Sequence, residues 1–312
     1  MNNYNLGYAC INKGFSERPK KQRITTNRGM IRRTFLEKGL PYVSELALAN
    51  CQDLLKILQW NAEQDIHFFR MSSGLFPWGS EYAFEDLPDY EAIAETLYEC
   101  GLFAAENNIR ITTHPDHFNK LTSPKESVIL NTIKDLELHG RMFDLLCLPR
   151  SPVAKINIHV GAAYDDKSMA LDNFCKNFQR LSEAVKTRLT VENDDKPSLY
   201  TTKELYDNIY KRIGIPVVFD YHHHDLHPGE QSEQEALQMA LDTWHKSVRP
   251  VVHYSESRSE EHNDAKIKPQ AHSDSYVRPV NTYGYEMDIM LEAKHKELAL
   301  FKMRELMEKS CR

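Results

Sequence analysis

Lys155-Ile156-Asn157-Ile158-His159-Val160 is a short apolar-rich run that closes on an imidazole, and a longer stretch of helical period follows it. The same unit recurs along the chain. Runs at 5–9, 66–71, 110–113, 188–192, 216–220, 250–254 and 286–292 complete a set of eight strand candidates, most of them followed by a helical stretch. Such alternation is the mark of βα units and a parallel sheet. Eight units in 312 residues, with no linker-like break and no repeat, predict an α/β fold: one (β/α)8 TIM barrel domain over 1–312, a fold of about 250 residues before insertions. A doubly wound open sheet is the alternative. Capping boxes place three helix starts, at Ser123 with Glu126, Thr201 with Glu204 and Ser232 with Glu235. Leu237, Ala240, Leu241 and Trp244, like Leu48, Cys51, Leu55 and Leu58, share a face at helical spacing and read as core.

In a barrel the chemistry collects at the carboxyl ends of the strands. Those ends carry His114, His159, Glu192, Asp220 with His223 three residues on, His253 and Glu292, and His272 lies in the loop after the seventh strand. One such residue is usually a hydrogen-bonded core group. Six successive strands ending this way are not, and four imidazoles with three carboxylates exceed what one ion uses. Nitrogen and oxygen ligands without thiolate suit Mn²⁺, Zn²⁺ or Fe²⁺, which predicts two or three divalent ions whose natural work is phosphoester hydrolysis. The remaining histidines read as structural: His139, His245 and His295 within helices, His67 before a strand. Of the run His222-His223-His224, the middle residue is favoured as a ligand because its offset from Asp220 brings the two to neighbouring ions.

Composition sets the partners. With 41% hydrophobic and 27% charged residues the chain is an ordinary folded one. No apolar run approaches the ~20 residues of a membrane span, and the first ten residues lack the pattern of a secretory signal. A cytoplasmic monomer is expected, nucleoid-associated if bacterial. The six cysteines, Cys10, Cys51, Cys100, Cys147, Cys175 and Cys311, form no Cys-x-x-Cys and read as reduced, mostly buried thiols. The net charge is −6, yet residues 13–33 hold eight basic side chains against Glu17, so the segment is strongly cationic within an acidic chain. Thr25, Thr26, Asn27 and Gly29 add groups of the kind that meet phosphates; a solvated basic loop is the plain alternative.

The stretches Leu6-Gly7-Tyr8-Ala9-Cys10, Thr25-Thr26-Asn27-Arg28, Phe69-Arg70-Met71-Ser72-Ser73-Gly74-Leu75-Phe76-Pro77, His114-Pro115, Ile158-His159-Val160-Gly161-Ala162-Ala163-Tyr164, Val191-Glu192-Asn193-Asp194, Asp220-Tyr221-His222-His223-His224 and Leu291-Glu292-Ala293-Lys294-His295-Lys296-Glu297 together resemble the UV damage endonuclease family. The resemblance runs over nearly the whole chain. It implies a barrel similar to the endonuclease IV group, with a trinuclear metal site that nicks damaged double-stranded DNA immediately 5′ of UV photoproducts and other distorting lesions, leaving 3′-hydroxyl and 5′-phosphate ends. Manganese is the first choice of metal and zinc the second.

By the same resemblance His114, His159 and Glu192 hold one ion. Glu192 bridges to a second ion held with Asp220, His253 and Glu292, which makes the three carboxylates the catalytic set. His223 and His272 hold the third. Tyr8 and Asn12 are implied as lesion-pocket and DNA contacts, Lys294 and Lys296 as facing the backbone. The basic segment adds Arg18, Lys20, Lys21 and Arg28, and His117 with Phe118 stand where relatives carry the pair that probes the duplex. Here the chain departs from the pattern, reading His114-Pro115-Asp116-His117-Phe118 where many members have His-Pro-Gly-Gln and an aromatic. It also carries Gly74 and Val251 where some members have a His and a Lys. A sugar isomerase or epimerase on the same barrel and a damage sensor that does not cut are the rival readings.

Overall fold

A computed structural model describes residues 3–310. Eight parallel strands close into a barrel in sequence order: β1 Tyr4–Cys10, β2 Phe68–Met71, β3 Arg110–Thr113, β4 Ile156–His159, β5 Leu189–Glu192, β6 Val217–Asp220, β7 Val251–Tyr254 and β8 Met287–Leu291. β8 returns to pair with β1, Tyr8 opposite Leu291. Closure excludes the open sheet.

Alternation along each strand decides what faces inward. Ile156, Ile158, Leu189, Val191, Val217, Phe219, Val252, Ile289 and Leu291 belong to the large core between sheet and helices. The residues between them turn into the barrel, where Phe68, Val218, Val251 and Met290 form a separate inner cluster and Thr190 bonds Asn157 at 2.7 Å. One step higher, the last inward residue of each of β4 to β7 is His159, Glu192, Asp220 or His253. Register sets them in two level pairs, His159 opposite Glu192 and Asp220 opposite His253, and steps between the pairs, since Glu192 lies opposite Val218. Outward apolar anchors on each of these strands thus set a polar ring at the mouth.

The helix Arg32–Glu63 is kinked where Gly39 adopts φ 61°, two residues before Pro41. Capping boxes form at Thr201 and Ser232. The one expected at Ser123 does not: the helix Glu126–Leu145 starts three residues later, after Lys125, whose amide bonds Ser123 Oγ. His245 lies beyond the helix Glu233–Leu241 and His295 just before the helix Glu297–Ser310, so neither is helical. Trp244 also lies past its helix and closes the lower end of the inner cluster, Nε1 bonded to Val217 O at 2.8 Å. Cys51, Cys100 and Cys175 are buried, Cys10 is half-buried and Cys147 exposed; Cys311 lies outside the described residues. Among those residues no helix is long and apolar enough to cross a membrane.

Candidate metal centre and nucleic-acid face

Glu192 sits at the centre of the mouth, fully buried, with three imidazoles on it. His114 Nε2 and His159 Nε2 each lie 2.7 Å from Oε1, and His253 Nδ1 lies 2.7 Å from Oε2. His253 Nδ1 is also 3.2 Å from Glu292 Oε1 and 4.0 Å from Asp220 Oδ2. Two groups of ligand atoms result, His114, His159 and Glu192 in one and Glu192, Asp220 and His253 in the other, and Glu192 belongs to both. His223 lies beside Asp220 (Nδ1 to Oδ2, 3.8 Å) and His272 beside Glu292 (Nδ1 to Oε2, 3.6 Å). No third group assembles around these two among the described residues.

Outer partners aim the ring nitrogens. His159 Nδ1 donates to Asp194 Oδ1 at 2.8 Å, His223 Nδ1 to Asn193 O at 2.9 Å, His272 Nδ1 to Glu292 O at 2.9 Å and His114 Nδ1 to Pro115 O at 3.0 Å. Each bond fixes its ring, the arrangement by which proteins orient imidazole ligands, and the Nε2 of His114 and of His159, now on Glu192, would turn its lone pair to a bound cation. Asn193 locks β5 to β6 by exchanging amide bonds with the Asp220 backbone. Sequence reading passed over Asp194 and Asn193 as partners, although the run Glu192-Asn193-Asp194 announced them. It also passed over Arg70, which pairs with Glu292 from the inward side of β2, and Lys155, fully buried with Nζ 3.0 Å from His253 Nε2.

The electrostatics suit a cation. Burial pushes the Glu192 carboxyl up, but His159, His114 and His253 outweigh it and hold it well below the usual range. For Glu292 burial is outweighed chiefly by Arg70 and His253. Asp220 goes the other way, pushed to about 6 by burial and by its carboxylate neighbours against the pull of His223. Burial lowers His253 to about 4 and Lys155 to about 7. Asp220 Oδ2 is buried without a hydrogen bond, and Glu192 Oε2, though 2.7 Å from His253 Nδ1, has none of good alignment. Buried carboxylate oxygens left unbonded between facing imidazole nitrogens are what a divalent ion satisfies, so the residues present fit the metal the donor set implies.

The surface around the mouth sorts the DNA candidates. Arg18, Lys20, Lys21 and Lys294 are exposed, Lys296 half-buried. Tyr8 is turned outward by β1 into the core, fully buried, with its hydroxyl donating to Asn61 at 2.7 Å. Asn12 is likewise buried and caps the helix Lys13–Ser16 through its side chain. Arg28 is spent inside, its guanidinium on Asp53 at 2.5 Å and on the carbonyl of Thr25. Thr25 and Thr26 are buried, while Asn27 and Gly29 stay exposed. Phe118 is 70% exposed and His117 packs on it with ring centroids 4.2 Å apart. Behind this tip, Asn119 Nδ2 bonds Asp135 Oδ2 at 2.7 Å and Lys120 N bonds Thr132 Oγ1 at 2.9 Å, bracing the loop on the helix Glu126–Leu145.

Fold and site together define a TIM barrel with a buried, shared-carboxylate centre suited to divalent cations. The chain belongs to the UV-endonuclease UvdE family, whose model matches residues 4–311. It is 36% identical to the UV-damage endonuclease of Schizosaccharomyces pombe over 96% of this chain and 50% of that protein. It is also 36% identical to the UV DNA damage endonuclease of Bacillus cereus (strain G9842) over 81% and 79%. The chain therefore spans about half the length of the fungal relatives it matches. Among solved structures SacUVDE superposes with a TM-score of 0.83 at 29% identity over 98% of both chains. Endonuclease IV from Thermus thermophilus, at 11% identity, TM-score 0.57 and 98% and 99% coverage, shares the fold.

Proposed function

We propose that this chain is a DNA repair endonuclease that nicks double-stranded DNA immediately 5′ of UV photoproducts and other distorting lesions, leaving 3′-hydroxyl and 5′-phosphate ends. The observation that carries the reading is Glu192, buried and common to two ligand groups at the mouth of a barrel of this family. When bound, two to three divalent ions, Mn²⁺ foremost and Zn²⁺ second, supply Lewis acidity toward a phosphate oxygen and lower the pKa of water. His114 and His159 would hold one with Glu192, and Asp220, His253 and Glu292 the other; His223 and His272 flank them.

The protein's own groups do the rest. Asp194, Asn193 and the carbonyls of Pro115 and Glu292 keep the imidazoles aimed, so little is lost to reorganisation. Arg18, Lys20, Lys21 and Lys294 offer charge to the phosphate backbone, which fixes register without reading sequence. Phe118 and His117 present stacked rings on a braced loop, suited to enter a step that damage has made cheap to unstack. The test is Mn²⁺-dependent nicking of supercoiled plasmid with and without UV irradiation. Relaxation confined to irradiated plasmid supports the reading. Binding without nicking at saturating metal would point to a damage sensor, and turnover of ketoses without either would point to an epimerase.

A further inference from the structure

Four of the five imidazoles around the mouth, His114, His159, His223 and His272, rest Nδ1 on an oxygen, and His114 and His159 present Nε2 to Glu192. His253 is reversed. Its Nδ1 faces Glu192, Glu292 and Asp220, and its Nε2 meets the Lys155 amine at 3.0 Å. Lys155 immediately precedes β4, its carbonyl taking the Thr113 amide at 3.0 Å, and its side chain runs inward beneath Asn157 and His159. It is fully buried, and His253 is its hydrogen-bond partner. No carboxylate among the described residues lies within ion-pair distance of it. An amine taken from water without a carboxylate costs stability, the nearby guanidinium groups of Arg70 and Arg110 add to that cost, and the inner face of the barrel holds an apolar cluster of Val251, Val218 and Met290, so an aliphatic residue would suit the fold there. A lysine at that point works against packing and for the site.

We propose that Lys155 is the positioning residue of His253, pinning Nε2 so that Nδ1 is presented to a divalent cation between Glu192, Asp220 and Glu292. An amine can give a hydrogen to Nε2 or take one through its lone pair, so it holds the ring in either tautomer, which a carbonyl cannot do. The assignment rests on the metal reading above, and it separates His253 from its four neighbours: they meet a cation through Nε2, His253 through Nδ1.

The experiment uses the full chain stripped of metal and titrated with Mn²⁺, free ion being counted by electron paramagnetic resonance. Lys155→Met is expected to unfold at a temperature no lower than wild type and to bind Mn²⁺ about 10- to 100-fold more weakly, the range found when outer partners of ligands are removed. Affinity equal to wild type in the folded variant overturns the assignment. Failure of the wild-type protein itself to take up Mn²⁺ overturns the metal reading and this assignment with it, an outcome distinct from the first. If Lys155→Met does not fold, wild-type protein with ¹⁵N-labelled histidine titrated with Zn²⁺ decides: coordination shifts at Nδ1 of His253 and at Nε2 of the others support it, and Nε2 coordination at His253 overturns it.

Discussion

Replacing Glu192 by Gln keeps the side chain's size and removes its charge. In the structure that charge faces three imidazole nitrogens at 2.7 Å and is common to both ligand groups, so one substitution weakens two sites. Removing an outer partner of a ligand costs about 10- to 100-fold in metal affinity. Removing an anionic ligand should cost no less than the upper figure at each site, or about 2.7 kcal/mol per ion. At limiting Mn²⁺ the doubly loaded fraction then falls by about 10⁴-fold, and nicking of irradiated plasmid falls with it. The fold should survive, since Gln keeps the side chain's size and its carbonyl oxygen can still accept from an imidazole. Asp220, held up partly by Glu192, should titrate lower. The assay pairs bound Mn²⁺ per chain with nicking rate, and near-UV circular dichroism reports the fold. A folded Glu192→Gln protein with wild-type metal content and turnover would refute the shared-ligand reasoning.

Neutralising Arg18, Lys20 and Lys21 together should flatten the salt dependence of DNA binding by up to about 0.9 for each phosphate no longer engaged, and an unchanged slope would make the segment a solvated loop. Phe118→Ala should lower the ratio of affinity for lesion over intact duplex by about 1–3 kcal/mol without altering Mn²⁺ content. Asp135→Ala should lower the same ratio less, because it loosens the brace and leaves the aromatic tip; equal loss on both duplexes would rule out a probe. Arg28→Met should act on stability, destabilising by about 1–3 kcal/mol as Asp53 loses one of its two charged partners and keeps Lys56 at 2.8 Å, with DNA affinity unchanged. His139 is buried on the inner face of its helix, and burial lowers its pKa. The unfolded chain therefore binds the proton first as pH falls below about 6.5, and stability drops by up to about 1.4 kcal/mol per pH unit. His139→Leu should lose less urea resistance than wild type between pH 7.5 and 5.5, and parallel losses would show that His139 does not titrate as argued.

The ring of ligands was legible because a period of two and a barrel's polarity together name one inward residue at each strand end, and β3 to β8 each carry a His, Glu or Asp at the last position or within one residue of it. What was not legible depends on facing. Tyr8 belongs to a family motif, but the same alternation that turns Ala9 into the barrel turns Tyr8 out of it, and the motif does not say which. Arg28 reads as a free cation in sequence because Asp53, its partner, lies 25 residues away on the following helix. The Ser123 box failed because Lys125 takes the Ser123 hydroxyl before the helix begins. Lys155 was counted as the first residue of a strand, and nothing local shows that its amine ends under a histidine 98 residues on.

The ligand arc has a further consequence. A barrel is close to cylindrical, but this one gathers its anionic and imidazole groups on β3 to β8, while β2 turns Arg70 inward one residue before its end, the loop after β1 carries the basic segment, and the loop after β8 carries Lys294 and Lys296. β8, β1 and β2 are neighbours, so the cations occupy one continuous sector of the rim. The mouth therefore has an azimuth as well as a depth. A polyanion laid across it meets attraction on one side and, until ions are loaded, repulsion on the other, which gives the two strands of a duplex unequal welcome. Metal occupancy would then set how far a strand comes to rest over the centre, as well as what happens to it there.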